Sequence, residues 1–281
     1  MSVITLKLIQ DYKDQLICEE KSKSTIEKYI RDIKTFMEWL SGKEITKTDV
    51  VEYKAKITEE YAPASVNSIL ASLNGFFSYM QWFSLRIKNL KIQKRLFCQS
   101  EKELTKNEYE QLLKAAKDKK NERIYMVMQT ICATGIRVSE LKFITVEAVM
   151  KGQATIRLKG KIRTILLTSD ICKILKKYIK EQGIKSGAVF VTRKGKPIDR
   201  HGIWKAMKAL CEAAGVDKEK VFPHNLRHLF ARTYYSLEKD IARLADILGH
   251  SSINTTRIYT IENGDIHRRQ MQRLGLVHMR A

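Results

Sequence analysis

The sequence predicts a mainly α-helical chain of two domains: a helical N-terminal unit, then a mixed but still mainly helical unit with a small antiparallel sheet. Three observations lead there. Apolar residues recur at helical spacing from Ile4 to Met80, the periodicity then fails across a basic stretch from Trp82 to Gln99, and one pair of adjacent β-prone runs follows. A chain of 281 residues, 44% of them apolar, is long enough for two domains that each bury a core.

The first helix is marked by Ile4, Leu8, Ile9, Tyr12 and Leu16. Ser24-Thr25-Ile26-Glu27 reads as a capping box opening the second, whose apolar face is Ile26, Tyr29, Ile30, Ile33, Phe36, Met37 and Leu40. Thr46 with Asp49 repeats that start signal before Val50, Tyr53 and Ile57. Pro63 suits the first turn of a fourth helix with Val66, Ile69, Leu70, Leu73, Phe76, Phe77 and Met80 on one face. An aromatic stripe at this spacing is core far more often than a base-stacking platform, so it is assigned to packing.

The basic stretch places a domain boundary near residue 98, with a linker from about residue 84. Beyond it Thr105-Lys106-Asn107-Glu108 is a third capping box. Ala154 to Leu158 and Arg163 to Leu167 read as a hairpin around Lys159-Gly160-Lys161, helices resume after Ser169, and Val189-Phe190-Val191 reads as a brief strand before a helical C-terminal part.

Lysine and arginine outnumber aspartate and glutamate by 52 to 31, a formal net charge of +21 that attracts polyanions and points to nucleic acid. Placement sharpens this: from Tyr61 to Ser100 there is no acidic residue, while Arg86, Lys88, Lys91, Lys94 and Arg95 crowd the second half, as expected of a segment lying along phosphates. The five cysteines form no CxxC pair and suggest no disulfide framework, which fits a reducing cytoplasm. There is no apolar leader and no run of membrane-spanning length, so neither export nor a membrane partner is expected.

Four segments hold the candidate chemistry: Ala133 to Leu141 (ATGIRVSEL), Leu158 to Lys161 (LKGK), His224 to His228 (HNLRH) and Leu248 to Tyr259 (LGHSSINTTRIY). Taken singly, Arg137 is a helix-surface cation, His224 and Arg227 an i, i+3 pair on a helix face, His250 a cap partner and Tyr259 a core aromatic. Together and in order they resemble the tyrosine site-specific recombinase (phage integrase, Xer-like) family, whose pattern is T-G-x-R-x-S-E-L, a hairpin Lys, H-x-x-R, L-G-H and a Tyr. Tyr259 follows His250 by nine positions, as that pattern expects. By motif the resemblance spans roughly residues 104 to 265; the N-terminal half matches only in its helical character and its place.

The resemblance implies a SAM-like, helical core-binding domain over residues 1–98 and a catalytic domain over 99–281, forming a clamp on double-stranded DNA with inverted half-sites. It implies cleavage and rejoining through a 3′-phosphotyrosyl intermediate, four protomers on two DNA sites, and a tail, residues 260–281, that packs on a neighbour through Ile266, Met271, Leu274 and Val277. The alternative for the tail is a helix folded back on its own domain. A type IB topoisomerase with a similar residue set and a catalytically silent DNA-binding protein are the rival readings.

The chemistry accounts for the residue types. Displacement at a phosphodiester needs a nucleophile, charge stabilisation on the nonbridging oxygens and a proton for the departing oxygen. Tyr259 supplies the nucleophile; a phenol, with a reference pKa of about 10, needs nearby cations or a base. Arg137 and Arg227 offer permanently charged forks for two oxygens of one phosphate and stand in place of a metal ion. His224 is the acid/base candidate, and His250 can donate to a nonbridging oxygen. Lys159 can protonate the leaving 5′ oxygen, but the family hairpin G-K-G-x-K-x-R is shortened here, and Lys161 takes the role if the deletion precedes the turn. Glu140 either orients Arg137 or is an ordinary surface carboxylate. No Walker loop and no HExxH occur, so no cofactor, metal or ATP is expected.

Overall fold

The structure, a computed structural model, describes residues 3–92, 102–158, 161–259 and 271–274. The chain divides into two compact units, Met1–Lys94 and Arg95–Ala281.

The first unit comprises α1 (Leu6–Cys18), α2 (Lys23–Leu40), α3 (Lys47–Glu60) and α4 (Pro63–Tyr79), followed by a short 3-10 turn at Phe83–Leu85. Its core gathers the expected stripes, with Ile33, Phe36, Val66, Leu70, Leu73, Phe76 and Phe77 fully buried. Phe36 and Phe77 meet edge to face, as do Tyr12 and Phe76, so the aromatic stripe is packing. The capping box at Thr46 and Asp49 is formed and Pro63 opens α4. The start of α2 differs from expectation. Ser22, not Ser24, is the N-cap, accepting from the Thr25 amide, and the box partner Glu27 lies two positions too late, facing Lys23 instead.

In the second unit α5 (Lys106–Asp118), begun by the Thr105–Glu108 capping box, precedes α6 (Glu122–Thr134), a 3-10 turn at Val138–Phe143 and α7 (Val146–Lys151). Strands β1 (Gln153–Leu158) and β2 (Lys161–Leu166) pair antiparallel, with Ala154 opposite Ile165 and Leu158 opposite Lys161. Lys161 therefore begins a strand and is not part of the turn that the sequence pattern predicts around it. Then come α8 (Ser169–Glu181), α9 (Arg200–Lys208), α10 (Cys211–Ala214), α11 (Pro223–Glu238), α12 (Ile241–Leu248) and α13 (Ile253–Thr256), with a 3-10 turn at Arg257–Tyr259. The run Val189-Phe190-Val191 is not a strand: single bridges pair Ala188 with Thr145 and Val191 with Pro197, while Val189 and Phe190 are drawn wholly into the core.

Helices α6 and α11 form the spine of this unit, packed along their lengths in a core that includes Val127, Ile131 and Leu226. A smaller cluster of Ala231, Leu244, Leu248 and Tyr259 joins α11 and α12 to the last 3-10 turn. The two clusters meet where α6 ends, and the site lies there. Among the described residues no helix is long and apolar enough to cross a membrane.

Candidate active site

Gly135 ends α6 at φ +62°, and a Cβ there would sit 2.5 Å from the Phe230 ring and 2.9 Å from Leu248, so only glycine turns the chain this tightly against α11 and α12. The turn delivers Arg137. Its backbone amide donates to Glu140 Oε2 at 2.9 Å, and its guanidinium donates to Glu140 Oε1 at 3.1 Å and to the Gly249 carbonyl at 3.4 Å. The Arg137 side chain keeps 38% of its surface exposed, so donors remain for a ligand.

Glu140 is buried and shared. Its Oε2 also accepts from Arg163 Nη2 at 2.5 Å, and Arg163 Nη1 reaches the Ile247 carbonyl at 3.1 Å. Burial works to raise its pKa, but the Arg163 hydrogen bond, the Arg137 amide and the two guanidinium charges outweigh that and hold it below the usual carboxylate range. Arg163, on β2, thus ties the hairpin to both the Arg137 turn and the end of α12. The Arg163 side chain also crosses Gly249, where a Cβ would come within 2.5 Å of Arg163 Cδ.

His224 and Arg227 lie on the first turns of α11, which Pro223 opens. Arg227 is 1% exposed, the largest fully buried side chain among the described residues. It donates to the carbonyls of Gly135 (2.5 Å) and Leu248 (2.8 Å), and its Nη2 lies 2.9 Å from His250 Nε2, beside the Tyr259 hydroxyl. Burial first, then the Arg137 charge, pushes its pKa down to about 10, still protonated at neutral pH. Where a free fork was expected, most of its five N–H groups already have partners.

Tyr259 is 5% exposed and boxed by histidines. The His228 ring meets it edge to face at 4.8 Å, and the His250 ring lies near-parallel at 6.1 Å. His224, an exposed residue, packs on His228 at 4.5 Å. Burial and then the Arg227 and Arg137 charges lower the His224 pKa. His228 falls to about 4 through burial, His224 and Arg227, and His250 to about 4 through burial followed by Arg227, Arg137, Arg163 and His224. The site therefore holds neutral imidazoles among permanent cations.

Arg137, His224, Arg227, His250 and Tyr259 are thus brought together. Lys159, Lys94 and Arg95 lie outside the described residues, as do Ile266 and Val277 of the tail; Met271 and Leu274 are described and exposed. Arg86, Lys88 and Lys91 form a separate exposed row on the first unit. Asn74 bonds both the amide and the carbonyl of Ile87, and Asn67 those of Leu90, while Lys47 and Lys54 donate to the carbonyls of Arg86 and Lys88. These two-point amide bonds latch the segment along α4 with its basic side chains outward.

Sequence reasoning missed Arg163, His228, Thr256 and the two asparagines. Only the asparagines left a signal, as amides seven residues apart on a helix with no charged residue. Among the described residues no group of three or more His, Cys, Asp or Glu could hold a metal ion.

Comparison with known proteins places the chain in a family. The Phage integrase family model matches residues 102–264, and that for the Phage integrase N-terminal SAM-like domain matches residues 9–82. Tyrosine recombinase XerA of Pyrococcus furiosus is 31% identical over 90% of this chain and 89% of its own length; tyrosine recombinase XerD of Listeria monocytogenes serovar 1/2a is 30% identical over 90% and 93%. Among solved structures, XerA recombinase superposes over 97% of this chain and 99% of its own at 25% identity and TM-score 0.52. Lambda integrase (75-356), a dimer bound to a COC′ core site, shares the fold at TM-score 0.74 and 19% identity over 92% and 95%. The chain belongs to the phage integrase family of tyrosine recombinases.

Proposed function

We propose that this tyrosine recombinase cleaves and rejoins double-stranded DNA at inverted half-sites through a 3′-phosphotyrosyl bond to Tyr259, with no metal ion or nucleotide. The observation that carries the reading is the Tyr259 ring set against His250 and His228, with Arg227 at its hydroxyl and Arg137 opening to solvent beside it. Arg137 takes the nonbridging oxygens first, being exposed. Arg227 joins by giving up carbonyl partners, a cost that the phosphate's charge offsets, since charge-assisted bonds are the stronger ones. His250 donates to a nonbridging oxygen and His224 manages the phenolic proton. The first unit, with Arg86, Lys88, Lys91, Lys94 and Arg95, follows the DNA backbone, and four protomers assemble on two sites with residues 260–281 packing on a neighbour. DNA-bound relatives support the partner: XerH was solved on palindromic difH substrate in a post-cleavage complex, and lambda integrase as a tetramer on a Holliday junction.

Incubation with duplex carrying the target site, followed by denaturing electrophoresis, tests the nucleophile. Wild type is expected to form a covalent adduct in excess EDTA. Tyr259→Phe, which removes one oxygen and no charge, is expected to form none while binding DNA normally. An adduct from the phenylalanine protein would sink the assignment.

The general acid has its own test. A duplex with sulfur at the bridging 5′ position releases its leaving group without protonation, so Lys159→Ala should be slow on normal DNA and near wild type on the sulfur duplex. Rescue of Lys161→Ala instead would move the role to the first residue of β2, and rescue of neither would exclude both.

A further inference from the structure

The His250 ring is held at both nitrogens. Arg227 Nη2 stands 2.9 Å from Nε2, and Nδ1 stands 2.8 Å from Thr256 Oγ1. A guanidinium has only donors, so Nε2 accepts and carries a lone pair. A neutral imidazole then bears its one proton on Nδ1, which donates to the threonine oxygen. Thr256 closes α13, is fully buried, and in that turn three residues before Tyr259 its hydroxyl faces the imidazole.

We propose that Thr256 is a positioning residue that sets the tautomer of His250: its hydroxyl accepts from Nδ1–H in the DNA-free site and donates to Nδ1 once Nε2 faces a phosphate oxygen. The inference rests on the reading of His250 as a phosphate-oxygen donor and adds how a histidine that accepts at Nε2 becomes one.

Two routes can put a proton on Nε2. The first is a second proton, giving an imidazolium. The charged and titratable groups around the ring oppose it: Arg227 and His224 from α11, Arg137 from the turn after α6 and Arg163 from β2, with the Tyr259 ring lying near-parallel to the imidazole. Together with burial, the cations hold the pKa at about 4, so the doubly protonated ring is scarce at neutral pH. The second route is exchange of tautomer: Nδ1 gives up its proton to solvent and Nε2 takes one, so that the count on the ring stays at one. That route needs a partner at Nδ1 that can both accept and donate. A carbonyl or carboxylate can only accept; a hydroxyl does either by turning about its Cβ–Oγ bond. Binding supplies the trigger, because a phosphate oxygen draws Arg227 Nη2 away and presents an acceptor where Nε2 had met a donor.

Nitrogen-15 NMR of histidine-labelled full-length protein reads the tautomer directly. Free wild type should show a pyrrole-like Nδ1 and a pyridine-like Nε2 for His250, and the Tyr259→Phe protein bound to target duplex should show the reverse. In single-turnover cleavage at saturating DNA, Thr256→Val, which keeps the shape and loses the hydroxyl, should be about tenfold slower with unchanged DNA affinity, the worth of one ordinary hydrogen bond. Thr256→Ser should return to within about threefold of wild type. A pyrrole-like Nε2 in the free protein, an imidazolium in the complex, or wild-type cleavage by Thr256→Val would each overturn the proposal, and the first two need no variant at Thr256. Failure of wild type to form any adduct would instead refute the underlying function, so the two failures are separable.

Discussion

Each unit buries a carboxylate, and the two are used differently. In the first, Asp32 on α2 accepts from Lys28 Nζ at 2.6 Å and Ser72 Oγ at 2.8 Å, and Lys28 also donates to the Ser68 carbonyl. The cluster links α2 to α4, and the exposed Arg31 adds a longer contact to Asp32 Oδ1 at 3.4 Å. In the second, Glu140 is shared by two arginines, of which Arg137 stays open to solvent, while Arg163 Nε and, nearby, His228 Nε2 are buried with no partner. The difference lies in buried polar atoms: those around Asp32 have partners, whereas those of Arg163 and His228 are left with bonds unmade, and unmade bonds are the ones a bound phosphate can complete.

The arginines give the largest expected effects. Arg137→Ala and Arg227→Ala should each slow cleavage by at least about 10²-fold, the scale of one lost preorganised oxyanion donor. They should differ in stability. Arg227→Ala strands the Gly135 and Leu248 carbonyls and should melt markedly lower, while Arg137→Ala, losing a half-exposed side chain, should melt near wild type. Near-wild-type cleavage by either would place the phosphate elsewhere, and equal melting points would erase the distinction between a braced and an open arginine.

The carboxylates come next. Glu140→Gln leaves Arg163 without its counter-charge and should cost about 3 kcal/mol, the lower end for breaking a buried pair, and should also slow cleavage because Arg137 loses its anchor. Asp32→Asn should lower the stability of the first unit and leave the chemical step at saturating DNA unchanged. Calorimetry with single-turnover kinetics on both proteins decides. A slowed chemical step in Asp32→Asn would show that the two clusters are not separate in role.

Legibility in the sequence followed how local the cause was. The stripes of α1 to α4, the boxes at Thr46 and Thr105 and Pro63 at the start of α4 act within one or two turns, and each was read correctly. The start of α2 was misread because Ser22 and Ser24 offer the same hydroxyl, and the choice depends on which first turn docks Ile26. Val189 to Val191 has strand propensity but no neighbouring strand, so packing overrode it. At the site, Arg137, His224, Arg227, His250 and Tyr259 stood out through motif order. Arg163, His228 and Thr256 did not, because their contacts depend on the tertiary approach of β2, α11 and α13, which no spacing encodes.

The smallest effect expected is on acid stability, and it separates the units by their titrating groups. All six histidines lie in the second unit. Burial holds His228 and His250 at about 4, against 6.5 for an exposed imidazole. Between those values the unfolded chain binds protons that the folded chain refuses, so stability falls as pH drops from about 6.5 towards 4 and is flat above. The carboxylates held below their usual range, Glu19 and Asp49 in the first unit and Glu108, Glu140 and Glu147 in the second, lose most of their contribution only below about pH 4.5. A comparison of pH 7 with pH 5 therefore reads chiefly the histidines. Amide hydrogen exchange, corrected for intrinsic rate, follows each unit separately. Protection in α11 should weaken at pH 5 while that in α2 holds, and His228→Phe, which keeps a ring edge against Tyr259 and loses the titration, should reduce the weakening in α11. Equal loss in both helices would mean that the acid sensitivity does not come from the histidines around Tyr259.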